Sequence, residues 1–594
     1  MLFNTFFFAS KSTGSPCGSD AHAAMRVNRR PTIAPRAGLL PALLQGFLLS
    51  VPLLALAAPD AGSVLQQLES RPAPLLKAPH LTTPQTPTPP AGDDAGPVLR
   101  VNAFRIDGAT LLSPVTLQTA LSGFAGRDLS LTQLQEAAWV VTQTYRDAGW
   151  LVNAFVPQQE IEQGLVRIQV IEARLGQIQI DVQPQVRIEA AQIQQLVLAQ
   201  LQPGDALNLH SVDRALMLID ELAGVASYGS FAPSQTEGAT DLLIQVGGGK
   251  RVEGSFSADN QGARSTGVQR LSLNFNFNSL LGLGDLLSIN LVETAGSSYR
   301  RAAYSLPVGS DGLRVGAHSS NMSYAFDWNS TAISGVARTS GLDLSGPWWR
   351  MPAGRWSWNL NTDHKQLQNS ANDAVTSAYS IDVARASLSG NWQDSWLGLA
   401  QSSMGITLSS GKVNNPADTT GVQGSFNKLN LSFNREQGIT GSLSWYGQAQ
   451  TQSASRNLDS SEKLFLGGAS GVRAYPVNEV GGASGYAATL GLRQRLDAGR
   501  SLSGFVDWGS VNVCHNLQDV CLKSAASGAG GKEPATQALQ GHGLTLNWQT
   551  EPGLDLSATW SRRRGNHPNP DANGLDSDQT RIVNRVWLSA AMRF

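Results

Sequence analysis

Charge is what this 594-residue chain has least of: 15% of its residues are Asp, Glu, Lys or Arg, against roughly 25% in soluble domains. Its 44 Lys and Arg nearly balance 45 Asp and Glu, for a net charge of -1. That excludes a basic footprint for nucleic acid and an acidic tail, and no nucleic-acid partner is expected. Cysteine is almost absent, with three in the chain. No C-x-x-C, H-E-x-x-H, G-x-S-x-G or G-x-x-x-x-G-K-[ST] occurs, so no metal, cofactor or enzymatic chemistry is expected. Beyond the N-terminus no apolar run is long enough for a spanning helix. What the chain does hold, 60 Gly and 14 Trp with little charge, suits a β-barrel of the outer membrane, which crosses with strands.

The N-terminal region reads as three short pieces. Arg26, Arg29, Arg30 and Arg36 precede an apolar run from Ala37 to Leu56 that ends in small residues, the pattern of a signal peptide cleaved near Ala57 or Ala58. Residues 1–57 are therefore expected to be leader. Next, Ser63-Val64-Leu65-Gln66 has the form of a capping box, with Val64, Leu65 and Leu68 on one stripe, which predicts a helix within 58–71. So short a helix is marginal alone and needs a seat. Residues 72–98 follow as a linker, and eight of residues 72–97 are proline. Such a segment is stiff and extended, and at roughly 3.1 Å per residue it reaches about 80 Å.

Two compact units come next. Val101 to Ile106 reads as a strand, Pro114 to Leu121 and Leu131 to Arg146 as helices, and Leu151 to Val156 with Leu165 to Ile171 as two further strands. The same order returns at Ile178 to Val182, Ile188 to Leu201, His210 to Leu222, Ala226 to Phe231 and Asp241 to Val246. Tandem βααββ repeats are thus expected at 99–175 and 176–250. Units of this kind dock extended peptides on a free strand edge, where main-chain pairing tolerates varied sequences.

From 251 to 594 the pattern is strict alternation. Leu271, Leu273, Phe275 and Phe277 stand against Ser272, Asn274, Asn276 and Asn278. The same period of two returns at Leu287, Ile289 and Leu291, at Trp356, Trp358 and Leu360, and at Leu429, Leu431 and Phe433. It recurs at Leu544, Leu546 and Trp548 and at Leu554, Leu556 and Ala558. One face suits lipid and the other a wet lumen. The last strand ends on Phe594, in phase with Val586, Leu588, Ala590 and Met592.

Within this region the glycine-dense stretch Leu464 to Pro476 carries a single cation, Arg473, and the strand Gly504 to Val511 a single acid, Asp507. If Val506 and Trp508 face lipid, then Asp507 faces inward together with Phe505 and Gly509. An inward carboxylate needs a partner, and a guanidinium is the bidentate one. Cys514 and Cys521, in the polar stretch just beyond, can close a small loop by a disulfide outside the cytoplasm.

These segments resemble the signatures of the two-partner secretion transporters, the haemolysin secretion/activation family of outer-membrane polypeptide-transport barrels related to the barrel-assembly insertases. The tip Val472-Arg473-Ala474-Tyr475 is similar to their V-R-G-[YF] loop motif with alanine in place of glycine, and Phe505, Asp507 and Gly509 to their F-x-D-x-G strand. Val156 to Ile180 resembles the junction of their two polypeptide-transport-associated (POTRA) domains, with Glu172-Ala173 where relatives carry Glu-Gly. The resemblance implies a sixteen-stranded antiparallel transmembrane β-barrel, two periplasmic POTRA domains and an N-terminal plug helix. It implies a lumenal lock between Arg473 and Asp507, and a terminal Phe594 read by the barrel-assembly machinery. The implied function is translocation of a large unfolded exoprotein, haemolysin-like or adhesin-like, through a protein seated in outer-membrane lipid. An assembly factor of the same superfamily and a passive porin are the alternatives.

Overall fold

The computed structural model describes residues 59–69, 80–81 and 98–594, apart from 237, 329, 352, 417, 419–420, 514, 516–535, 551–552, 566–569 and 571–572. The expected signal peptide, most of the proline-rich linker, and Cys514 and Cys521 lie outside the described residues.

Sixteen antiparallel strands, from Val252–Asp259 to Asn584–Arg593, pair in chain order and close on themselves. The seam joins first to last, with Phe256 opposite Met592 and Ala258 opposite Ala590. Closure satisfies the hydrogen bonds that a sheet edge would leave open in lipid. The alternation follows the register. Leu273 lies opposite Phe256 and Leu291, and Leu544 opposite Trp560, so the apolar phase forms one outer belt. Trp356 stacks on Trp392 with centroids 5.8 Å apart, and Trp392 meets Phe433 at 6.4 Å, part of an aromatic girdle. The strands Leu313–Trp328, Thr331–Met351, Gly354–Ala371 and Ala374–Asp394 run 16, 21, 18 and 21 residues, well over the roughly 9–11 that a bilayer requires. Above Leu342, Leu360 and Ala384 their outer faces turn polar at Ser340, His364 and Asp382, so they project past the membrane.

Phe594 closes the seam from the outer side. Its backbone exchanges hydrogen bonds with Gly254 (3.1 and 3.0 Å), and its ring meets Phe275 edge-on at 6.0 Å. Gly254 lacks the Cβ that would stand 2.3 Å from that ring.

Upstream lie two small α/β units of one topology. In the first, Leu165–Glu172 pairs parallel with Ala103–Asp107 and antiparallel with Val152–Phe155, and the helices Pro114–Ala120 and Leu131–Asp147 cover the sheet. In the second, Ala239–Gly248 pairs parallel with Arg174–Val182 and antiparallel with Val225–Pro233, under the helices Ala190–Leu198 and Leu209–Asp220. Each buries its own aliphatic core. Two residues of the linker, His80 and Leu81, add a parallel strand to the outer edge of the second sheet, opposite Tyr228 and Gly229. The second unit also seats on the barrel's turns: Arg350 donates to Glu221 at 2.6 Å, and Gln192 to the Leu283 carbonyl at 3.1 Å.

Glu172 binds the first unit together. It accepts from the amides of Thr110 and Leu111 (2.6 and 2.8 Å), from the Thr110 hydroxyl and from Tyr145 (2.9 Å). Burial pushes its carboxyl up, yet these donors prevail and hold it below the usual carboxylate range.

Candidate functional site: a lumenal loop, its anchors and a plug

The connection between the strands Leu443–Ala454 and Ser484–Arg495 turns into the barrel instead of away from it. It descends through a 3-10 turn, Ser460–Glu462, forms a short ladder of Leu464–Leu466 with Val480–Gly482, and ends in a tip around Arg473. The tip bends at Gly467 and Gly468, whose φ angles of 92° and 83° favour glycine. It is closed by Gly468 donating to the Tyr475 carbonyl at 3.1 Å and by Tyr475 donating to that of Val472 at 3.1 Å. Ala474 keeps a negative φ, so the alanine there costs no strain. The room for its methyl comes from Gly541, where a Cβ would lie 2.6 Å from that of Ala474.

Arg473 reaches Asp507 through three donors: Nε to Oδ2 at 2.9 Å, Nη2 to Oδ1 at 2.6 Å, and its own backbone amide to Oδ2 at 3.1 Å. Thr489, opposite Asp507 in the ladder, adds a hydroxyl at 2.8 Å. The guanidinium lies over the Phe505 ring at 3.3 Å. Gly509 leaves space for Leu466, which a Cβ would approach to 2.9 Å. Asp507 is fully buried, so every one of its partners stands in for water.

Three further holdings were not legible beforehand. The Arg473 carbonyl accepts from Ser561 at 2.7 Å and from Trp587 at 2.8 Å. Arg563 stacks on the Tyr475 ring at 4.6 Å, donates to the Ala474 carbonyl at 3.4 Å and pairs with Asp576, which also binds Arg585 at 3.1 Å. At the root of the loop, Glu462 is buried among Lys365 (2.8 Å), Arg385 (2.8 Å) and Lys428 (2.6 Å), cations of three different wall strands. Their one early signal was phase: Lys365 shares the inward face with Asn359 and Asn361.

A helix, Ala61–Glu69, fills the space beside this loop. It begins earlier than the capping box suggested, because Asp60 is the cap. Asp60 accepts from the Ser63 amide at 2.9 Å, and Ser63 accepts from the Asp60 amide at 3.1 Å. Val64, Leu65 and Leu68 are buried with Met322, Tyr324, Val383 and Phe426 of the wall. The helix touches both limbs of the loop: Ser460 donates to Asp60 at 2.8 Å, Gln66 to the Lys463 carbonyl at 2.6 Å, and Asn478 to that of Ser63 at 3.2 Å. Plug and loop therefore pack as one body inside the barrel.

A closed sixteen-stranded barrel with an inward loop, a lumenal helix and paired βααββ units upstream defines an outer-membrane polypeptide transporter. The family "Haemolysin secretion/activation protein ShlB/FhaC/HecB" matches residues 238–531, and "POTRA domain, ShlB-type" matches residues 99–173. The chain belongs to this family of two-partner secretion transporters of the outer membrane. It is similar to the heme/hemopexin transporter protein HuxB of Haemophilus influenzae, 26% identical over 449 residues, which are 72% of this chain and 79% of HuxB. The outer membrane transporter CdiB of Escherichia coli is 25% identical over 437 residues, 68% of this chain and 70% of CdiB. Among solved structures, CdiB of Escherichia coli shares the fold with a TM-score of 0.63 at 20% identity, covering 90% of this chain and 96% of that one. BamA of Haemophilus ducreyi lacking POTRA domains 1-3 follows with a TM-score of 0.52 at 13% identity, covering 84% of this chain and all of that one.

Proposed function

We propose that the chain carries a large unfolded exoprotein, haemolysin-like or adhesin-like, from the POTRA domains through the barrel to the cell surface, and that Arg473 and Asp507 hold the conduit shut between passages. The observation that carries this reading is that plug helix and inward loop together occupy the lumen above the POTRA domains. The family's pairing with secreted exoproteins supports it. Capture begins on the POTRA sheets, whose edge strands pair with varied sequences through the main chain. The strand Val152–Phe155 ends the first sheet, while His80 and Leu81 already cover the edge of the second. Progress needs no catalysis by this chain: a passenger that folds outside cannot return.

Phe594, on the lipid side of the seam, is the residue that the barrel-assembly machinery reads before the barrel is released into lipid. The test of the transport reading is Arg473→Ala, scored by passenger in the medium and by barrel in the outer membrane of the same cells. Secretion falls several-fold while the barrel remains; an equal fall of both assigns the pair to folding.

A further inference from the structure

The plug helix ends on an acid, Glu69, where the helix dipole disfavours one. Its carboxylate accepts from Tyr299 and Ser320 of the wall, each at 3.3 Å. The ladder places Arg301, Ser320, Thr339 and Lys365 side by side at this height on the inner face. Geometry fixes the helix in this direction. Its N-terminal amide at Ala61 donates to Asn369, which also binds Tyr324, and Tyr324 lies four residues beyond Ser320, about 13 Å along a strand. Nine helical residues span about the same distance.

The plug brings an acid to a stretch of wall crowded with cations. Arg301, Lys365, Arg385 and Lys428 supply four cations; Asp343, Asp363 and Glu462 supply three acids, and the fourth is Glu69. His318, between Asp343 (2.7 Å) and Asp363 (3.1 Å), adds positive charge when protonated. Asp459, on the far side of the 3-10 turn, is directed to Tyr379 at 2.8 Å and toward the Asp60 end. The Thr339 hydroxyl, in the middle of the row, is buried without a hydrogen-bond partner.

We infer that the row Arg301–Ser320–Thr339–Lys365 is a docking site for carboxylates of the passing chain: once Glu69 leaves, acidic side chains of the passenger take its place in turn. Charge complementarity selects this occupant. Without the plug the row itself carries two cations and no acid, and its hydroxyls and cations match what a carboxylate accepts from. The inference rests on the transport reading above.

The full chain in a planar lipid bilayer under a KCl gradient tests it. Open events are expected to favour chloride, and Glu69→Gln to make them more frequent. Arg301→Gln is expected to lower the anion-to-cation permeability ratio roughly twofold. Lys365→Gln is the weaker probe because it also disturbs Glu462, so Arg301→Gln decides. Polyglutamate added on the POTRA side should shorten open events and polylysine should not. Equal block by both peptides, chloride preference unmoved by Arg301→Gln, or block by chloride alone with no response to polyglutamate would overturn the docking site while leaving the conduit intact. An absence of open events in both the wild type and Glu69→Gln would instead overturn the conduit reading, and this inference with it.

Discussion

The lumenal loop is held at two places by opposite arrangements of charge. At its tip one cation meets one acid, and the pair is complete: every oxygen of Asp507 has donors, and Arg473 lies flat over Phe505. At its root one acid, Glu462, is shared by Lys365, Arg385 and Lys428 from three strands. On the transport reading proposed above, the difference is a division of labour. A one-to-one pair separates in a single step and re-forms in a single geometry, as a latch must. A one-to-three cluster ties the wall strands to each other through the loop, so removing its acid leaves like charges facing each other in a buried place.

Breaking the root should therefore have the largest effect. Glu462→Gln strands Lys365 and Lys428, while Arg385 keeps Asp363, and a loss of about 3–5 kcal/mol is expected. It appears as loss of the heat-modifiable folded band on gels and of barrel in the outer membrane. Breaking the tip comes next: Asp507→Asn removes the charge but keeps the shape. It should cost about 3 kcal/mol of loop closure, lower secretion several-fold and leave the folded band in place. Comparable loss of folded barrel in the two variants would erase the distinction between latch and tie.

Arg563→Gln sharpens the comparison, since Arg563 holds the tip by stacking and through Asp576 without touching Asp507. A loss of about 1–2 kcal/mol in tip docking is expected, seen as faster hydrogen exchange at Gly468 and Tyr475 alone. The smallest effect lies outside the barrel. Glu172 is held below its ordinary range in the folded state, so its contribution is present above the unfolded value and is lost as pH falls through the lower folded one. Hydrogen exchange at Thr110 and Leu111 in the full chain should quicken as pH drops below about 4.5, and Glu172→Gln should remove that dependence. A Glu172→Gln protein with unchanged pH response would assign the transition to another group.

The fold was legible because period two survives burial: Leu271 to Phe277 and Leu544 to Trp548 point outward as their phase required. The two βααββ units were legible for a similar reason, since their helices and strands each carry a local pattern and repeat in order. The pair of Arg473 and Asp507 stood out because each was the single charge in its segment. Arg563, Asp576 and Glu462 did not, since their partners lie elsewhere in the chain and nothing local marks the pairing. The helix cap shifted for a physical reason too. Asp60 and Ser63 exchange the same two bonds that Ser63 and Gln66 were expected to exchange, and the wall's seat for Ala61 decides between them.

The most direct measurement ties the plug to the loop and asks whether transport stops. Gln66 donates to the Lys463 carbonyl at 2.6 Å, so Gln66→Cys and Lys463→Cys, in a chain lacking Cys514 and Cys521, can be joined across that contact by a short thiol-reactive crosslinker with a reducible spacer. The account predicts that the bridged protein remains in the outer membrane at wild-type abundance, releases no passenger, and resumes release when a reductant is added. Passenger release that continues with the bridge intact would contradict it.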